Sequence, residues 1–144
     1  MRSWLIDASV LSELGQPEPE RNLVAFLREE PLESFYVSVV TLADIRFAIE
    51  RVGDAARRSA LDDWLAHRLR PTFDGRVLAV SEDVMLKRRR LAEQGRKARH
   101  MFSQPDLILA ATALQHGLTI VTRDAADYEK AGARTFNPWP APSF

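Results

Sequence analysis

The chain has 144 residues, enough for one domain of ordinary size and too few for a catalytic unit with a separate cofactor module. At 46% hydrophobic and 28% charged it has the composition of a globular protein, and no apolar run approaches the ~20 residues needed to cross a bilayer. Twenty basic residues balance twenty acidic ones, so attraction to nucleic acid must come from local clusters and not from net charge. Cysteine is absent, which excludes disulfides, thiolate zinc sites and a cysteine nucleophile. Asp7 interrupts the apolar run Trp4-Leu5-Ile6 where a secretory signal would need an unbroken core, so the expected location is cytoplasmic.

In chain order, Ser3–Asp7 is a short apolar run ending in an acid and reads as a buried strand. A short helix follows, closed by the loop Gln16-Pro17-Glu18-Pro19. Glu20–Glu30 has helical spacing, Phe35–Val40 is a β-branched and aromatic strand, and Leu42–Arg51 is again helical, with Leu42, Ile45, Ile49 and Val52 on one face. Ala55–Leu69 predicts a helix ending near Pro71, Val77–Val80 a strand, and Glu82–Gln94 a helix. Asp106–His116 is helical and is stopped by Gly117, before the strand Thr119–Thr122 and a last short strand at Arg134–Phe136. Strands alternating with helices predict an α/β fold: one domain over residues 1–144, with a mainly parallel central sheet of about five strands flanked by helices. Residues 137–144 form a proline-rich tail that can build neither a helix nor an interior strand and is expected to lie extended on the surface.

Acids recur where strands end. Asp7 follows the first strand, Asp44 lies in the expected first turn of the helix after the second, Asp106 opens a helix, Asp124 follows the fourth strand, and Asp127 lies one turn later. In an open parallel sheet this edge is where ligands bind. Each acid has a capping explanation: Thr41-Leu42-Ala43-Asp44 and Ser103-Gln104-Pro105-Asp106 resemble capping boxes, Asp124 could be an N-cap, and Asp7 could face a helix N-terminus. Caps do not, however, require acids at every strand exit of one edge. Two carboxylates about 5 Å apart repel by about 3 kcal/mol at an effective dielectric of 20, and Arg123 is the only adjacent base, so a divalent cation is the natural counter-ion. Oxygen donors favour magnesium or manganese over zinc, and His67, His100 and His116 lack metal-ligand spacing and read as helix-surface residues or capping donors.

Four motifs in order carry a resemblance. They are the run from Leu5 to Leu14, the run from Ser38 to Arg46, and the stretch from Pro105 to Asp124 with its His116-Gly117-Leu118-Thr119-Ile120-Val121-Thr122-Arg123-Asp124 end, followed by Asn137-Pro138-Trp139. Over nearly its whole length the chain resembles the PIN-domain ribonucleases, and within them the VapC-type and FitB-type toxins of toxin–antitoxin pairs. The resemblance implies a PIN-like fold in which Asp7, Asp44, Asp106 and Asp124 hold Mg2+ or Mn2+ and catalyse, with Ser9 and Thr122 as supporting hydroxyls and Asp127 a possible fifth acid. It implies hydrolysis of RNA phosphodiesters by water that the metal activates, without a covalent intermediate. It also implies a cognate antitoxin protein as partner and pairing of two copies of the chain. The chain departs from the family at Asp44, where glutamate is usual, and at Ala8, where threonine or serine is usual.

An RNA substrate needs positive charge near such acids. Lys87, Arg88, Arg89, Arg90, Arg96, Lys97 and Arg99 face a single acid, Glu93, in the segment that leads toward Asp106, and are the candidates for gripping the RNA backbone. Four consecutive basic residues span more than one helical turn, so they cannot all face one ligand, and a solvated helix face is the competing reading. Phe26, Phe35, Phe47 and Trp64 lie in apolar patterns and are expected in the core. The alternative function is a non-catalytic PIN-fold interaction module that binds a partner protein, with a metal site weakened by Asp44.

Overall fold

The structure is a computed structural model and describes residues 2–140. Five parallel strands form one sheet in the order β3-β2-β1-β4-β5, with β1 (Trp4–Ile6) at its centre. Beside β1 lie β2 (Phe35–Ser38) and β4 (Thr119–Val121), and the edges are β3 (Val77–Leu78) and β5 (Thr135–Phe136). Each strand is shorter than the range expected from the sequence, because the residues at the strand exits turn at once into caps and loops.

Alternation along the central strands divides the core into two layers. Trp4 and Ile6 point to one face with Phe35, Val37 and Val121, where α1 (Ala8–Leu14), α2 (Arg21–Glu29), α3 (Val39–Glu50) and α4 (Ala55–Trp64) cover them. Leu5 and Ile120 point to the other face, under α6 (Glu82–Lys97), α7 (Gln104–His116) and α8 (Ala126–Lys130). The sheet is thus covered on both faces, as a parallel sheet requires. Among the described residues no helix is long and apolar enough to cross a membrane.

Three departures from the sequence expectation have a local reason. The β-branched pair Val39-Val40 belongs to α3 and not to β2, because the Ser38 hydroxyl accepts the Val40 N–H at 3.1 Å and starts the helix there. Thr41 is therefore buried within α3, its hydroxyl without a partner, and Asp44 lies in the second turn, so the capping box expected at Thr41 does not form. The helix expected over Ala55–Leu69 widens into a π turn at Leu65–Leu69 and ends in the one-turn α5 (Arg70–Thr72). That wider turn ends just before Pro71, which has no N–H to continue the ladder. A short α8, not expected from the sequence, fills the stretch between β4 and β5.

Gly117 ends α7 in the left-handed region at φ 67°, as expected for a C-cap, while α6 ends with Arg99 at φ 59°, where glycine would be unstrained. Phe35 is buried and Phe26 and Trp64 pack against the same core, but Phe47 is 60% exposed, contrary to expectation. It points outward because Leu42, Ile45 and Ile49 already supply the buried face of α3. The tail is less detached than expected. Up to Pro140 it is held by Asn22, whose side chain donates to the Trp139 carbonyl at 2.8 Å, and Trp139 packs on the first core, while residues 141–144 lie outside the described residues.

The connection from α6 to α7 closes on Gly95. A β-carbon there would stand 2.7 Å from Phe102 Cε2 and 2.8 Å from the His100 carbonyl oxygen. Alanine improves helix propensity by about 1 kcal/mol, but the collision with backbone forces a shift costing about 1–3 kcal/mol. Gly95→Ala should therefore lower stability in thermal or urea unfolding. A variant as stable as the parent would mean that this connection moves freely.

Candidate active site

The site grows from the C-terminal end of β1. Ile6 pairs with Val121, and the Asp7 N–H donates to the Val121 carbonyl at 3.2 Å, so Asp7 and Thr122 leave the sheet side by side. Asp7 is only 5% exposed. It caps α1: its Oδ1 accepts the Val10 N–H at 3.2 Å and the Ser9 hydroxyl at 2.7 Å. Burial pushes that carboxyl above its ordinary value, while the bonds from Ser9, Thr122 and Val10 pull the other way.

The supporting hydroxyls also fix the loop after β4. Ser9 Oγ accepts the Arg123 N–H at 3.2 Å, and Thr122 Oγ1 accepts the Asp124 N–H at 3.0 Å. Asp124 is thereby tied by its backbone to the groups that hold Asp7, with its carboxylate exposed at the same edge. It is not a cap, since α8 starts after Ala125 with no side-chain cap bond.

Asp106 arrives from the other layer. It sits half-buried in the first turn of α7, its N–H donating to the Ser103 cap at 3.4 Å. Tyr128 is 4% exposed, and its pKa is raised first by burial and then by the negative charges of Asp7 and Asp106, so it remains a neutral donor. Sequence reasoning missed it. The signal was a tyrosine one turn past Asp124 whose hydroxyl, once buried, must find a polar partner.

Two further acids were expected at this edge, Asp127 on α8 and Asp44 on α3. Asp127 faces His100, whose Nε2 lies 3.3 Å from its Oδ1, and His100 sits in the α6–α7 connection and not on a helix surface. Asp44 stands exposed in the second turn of α3, its carboxyl raised by partial burial. Among the described residues no three acidic or imidazole side chains form a ready cage. The donor set is nevertheless one of oxygens only, and a small hard cation is held by one or two carboxylates while it keeps its waters, so these residues fit magnesium or manganese.

The basic segment runs along α6 past this edge. The Arg88 guanidinium donates to Gln104 Oε1 at 2.8 Å, which brings it to the N-terminus of α7. Arg96 is paired with Glu93 at 2.5 Å, Lys87 is half-buried, and Arg89, Arg90, Lys97 and Arg99 are exposed.

A carboxyl raised by folding ionises later in the folded chain than in the unfolded one. The cost is therefore absent at low pH and develops as pH rises through the folded value. Asp7→Asn keeps the capping oxygen and removes the charge. In chelator at neutral pH the variant should melt no lower than the parent, and the difference should vanish below about pH 4, where both side chains are neutral. A variant that melts lower at pH 7 would mean that the hydroxyl and N–H donors outweigh burial.

The PIN domain model matches residues 4–133. The VapC ribonuclease Y4jK of Sinorhizobium fredii is 32% identical over 94% of this chain and 96% of the relative. The toxin FitB of Neisseria gonorrhoeae is 32% identical over 94% of this chain and 97% of its own length. The crystal structure of FitAcB from the same organism superposes with a TM-score of 0.90 at 32% identity, covering 94% of this chain and 98% of that one. With its central β1 ending in Asp7 and its sheet matched over nearly the whole length, the chain belongs to the PIN-domain family, in the group that contains these VapC- and FitB-type proteins.

Proposed function

We propose that this protein is a magnesium- or manganese-dependent endoribonuclease acting in the cytoplasm as the toxin of a toxin–antitoxin pair. The observation that carries the reading is the buried Asp7 carboxyl at the end of the central strand, held by Ser9, with the exposed Asp124 fixed beside it through Thr122. The names of the relatives, one a ribonuclease and one a toxin, support the same reading. Asp7, Asp106 and Asp124 would hold the cation, with Asp44 reaching it less directly. Bound there, the ion supplies the Lewis acidity that activates water toward the phosphodiester phosphorus. Ser9 and Thr122 orient the Asp7 carboxylate and fix the Asp124 loop. The exposed bases Arg89, Arg90, Lys97 and Arg99, with Arg88 at the start of α7, draw the RNA backbone toward the acids. Arg99 occupies a left-handed position at a cost of about 1–3 kcal/mol, which supports a use for its side chain beyond the helix end.

An antitoxin segment would find apolar surface between α1, α3 and α4, where a cavity of about 150 Å³ is lined by Gly15, Ile45, Ile49, Leu61 and Trp64. The alternative is a non-catalytic PIN-fold binding module, its metal site weakened by the shorter Asp44. A metal-dependent cleavage assay separates the two.

Asp106→Asn should reduce RNA cleavage by about 100-fold or more with an unchanged circular dichroism spectrum, since even residues outside a metal's first contacts contribute 10–100-fold. Full activity in that variant would falsify the ligand assignment. Manganese at a hundredfold its dissociation constant should stabilise the parent by about 2.7 kcal/mol, and an unchanged melting temperature at millimolar manganese would remove the metal site.

Asp44 is one methylene shorter than the usual glutamate, a deficit of roughly one C–C bond or about 1.5 Å. Magnesium, with its short bonds of about 2.0–2.1 Å, does not bridge such a gap without water. Asp44→Glu should raise metal affinity and the cleavage rate at low metal, and Asp44→Ala should lower both. If glutamate proves no better than alanine in a manganese titration, Asp44 lies outside the site.

A further inference from the structure

The connection between α6 and α7 borders two cavities that the acids leave unused. One, of about 530 Å³, is lined by Gly95, Arg99, His100 and Phe102, and by Lys130 of α8. The other, of about 570 Å³, is lined by Arg96, Arg99, His100, Phe102 and Gln104. Each has the size of a small-molecule site. His100 and Phe102 line both, their rings edge to face with centroids 4.5 Å apart. His100 is braced by Asp127, whose Oδ1 lies 3.3 Å from its Nε2, and Phe102 by the bare Gly95, where a β-carbon would stand 2.7 Å from the ring. Arg96 is paired with Glu93, whereas Arg99 and Lys130 form no ion pair among the described residues. Met101, between the two rings in sequence, is 93% exposed at the second cavity.

We propose that this connection is a nucleobase pocket for single-stranded RNA, with Phe102 as the stacking face and Arg99 and Lys130 as the cations for the neighbouring phosphates. An aromatic ring and free cations around one space are the combination that single-stranded nucleic acid calls for. An aliphatic ligand has no use for the cations, and a bare phosphate none for the rings. A duplex is excluded as occupant because its bases are paired and stacked within it. The pocket adjoins the acids through both neighbouring helices. Gln104 and Leu107, which line the second cavity, bracket Asp106 in the first turn of α7. Asp127, which braces His100, lies at the start of α8, directly after the loop of Asp124. A base seated here brings the adjoining phosphates to the acidic edge, and its fit selects which RNA is cut.

This inference rests on the nuclease reading, and the test separates the two. Binding of a single-stranded RNA of mixed sequence, about twelve nucleotides long and with 2-aminopurine in place of its adenines, is measured in chelator by anisotropy and by 2-aminopurine emission. The parent should quench the emission by stacking. Phe102→Leu should bind about tenfold more weakly and leave the emission bright even at saturation, and Phe102→Tyr, which keeps an aromatic face, should restore both. Arg99→Gln and Lys130→Gln should each lower the salt dependence of binding by about one phosphate contact and keep the quenching. A role of Phe102 in packing alone would lower the melting temperature of Phe102→Leu without changing its quenching at saturation. Equal quenching by the parent and Phe102→Leu, or none by either, overturns the inference. Cleavage of the same RNA in manganese tests the nuclease separately. A parent that cleaves without quenching leaves the nuclease standing and removes the pocket, and one that quenches without cleaving does the reverse. A parent that neither binds nor cleaves this RNA overturns both.

Discussion

A carboxylate at the end of the central strand, nearly cut off from water, is the constraint around which the rest of this edge is arranged. Asp7 is 5% exposed, and an isolated ionised carboxyl so placed would be strongly disfavoured. It is accommodated by neutral donors from the helix that follows, Ser9 and Val10. Ser9 in turn receives the Arg123 N–H, and Thr122 the Asp124 N–H, so the groups around Asp7 also shape the loop that presents Asp124. Neutral donors relieve desolvation without cancelling charge, which leaves the group able to take a cation.

The two-layered core makes this possible. Ile6 and Val121 bury into the layer of α1 to α4, while Leu5 and Ile120 bury into the layer of α6 to α8. Where the strands end, the layers meet: α1 brings Ser9 from one side, and α7 and α8 bring Asp106 and Tyr128 from the other. A parallel sheet with short strands sends every exit to the same edge, so residues distant in sequence converge without any long loop.

Much of this was legible in the sequence because it depends on periodicity and order. The apolar runs at Trp4–Ile6 and Thr119–Val121 read as strands, and Gly117 as a helix stop. What failed depended on competition between neighbours. Ser38 and Thr41 are both credible caps, and only the position of Val37 in the sheet decides for Ser38. Phe47 looks like a core residue, yet the face of α3 that meets the sheet is already occupied. Asp127 reads as a fifth acid, but its direction on α8 turns it to His100, while its neighbour Tyr128 takes the inward position. A period of 3.6 residues assigns faces, and one residue's difference exchanges a surface carboxylate for a buried phenol.

Among the described residues no lysine or arginine pairs with Asp7, Asp106 or Asp124, and the tail explains why the nearest base does not. Arg123 lies between Thr122 and Asp124, well placed in sequence to pair with the Asp124 carboxylate. Its guanidinium instead lies over the Trp139 ring, 5.4 Å from the centroid, and the Asn137 side chain reaches the Arg123 carbonyl at 3.5 Å. Trp139 is itself fixed, since its carbonyl accepts from Asn22 and its ring packs on the first core layer. A cation over an aromatic face is held by the ring's quadrupole and keeps little reason to bend back toward the acids. Among the described residues Arg123 forms no ion pair. The segment Asn137-Pro138-Trp139, which adds no strand or helix, thus works on the electrostatics of the site: by holding Arg123 to one side, it leaves the negative charge of the acidic edge to be met from outside the chain.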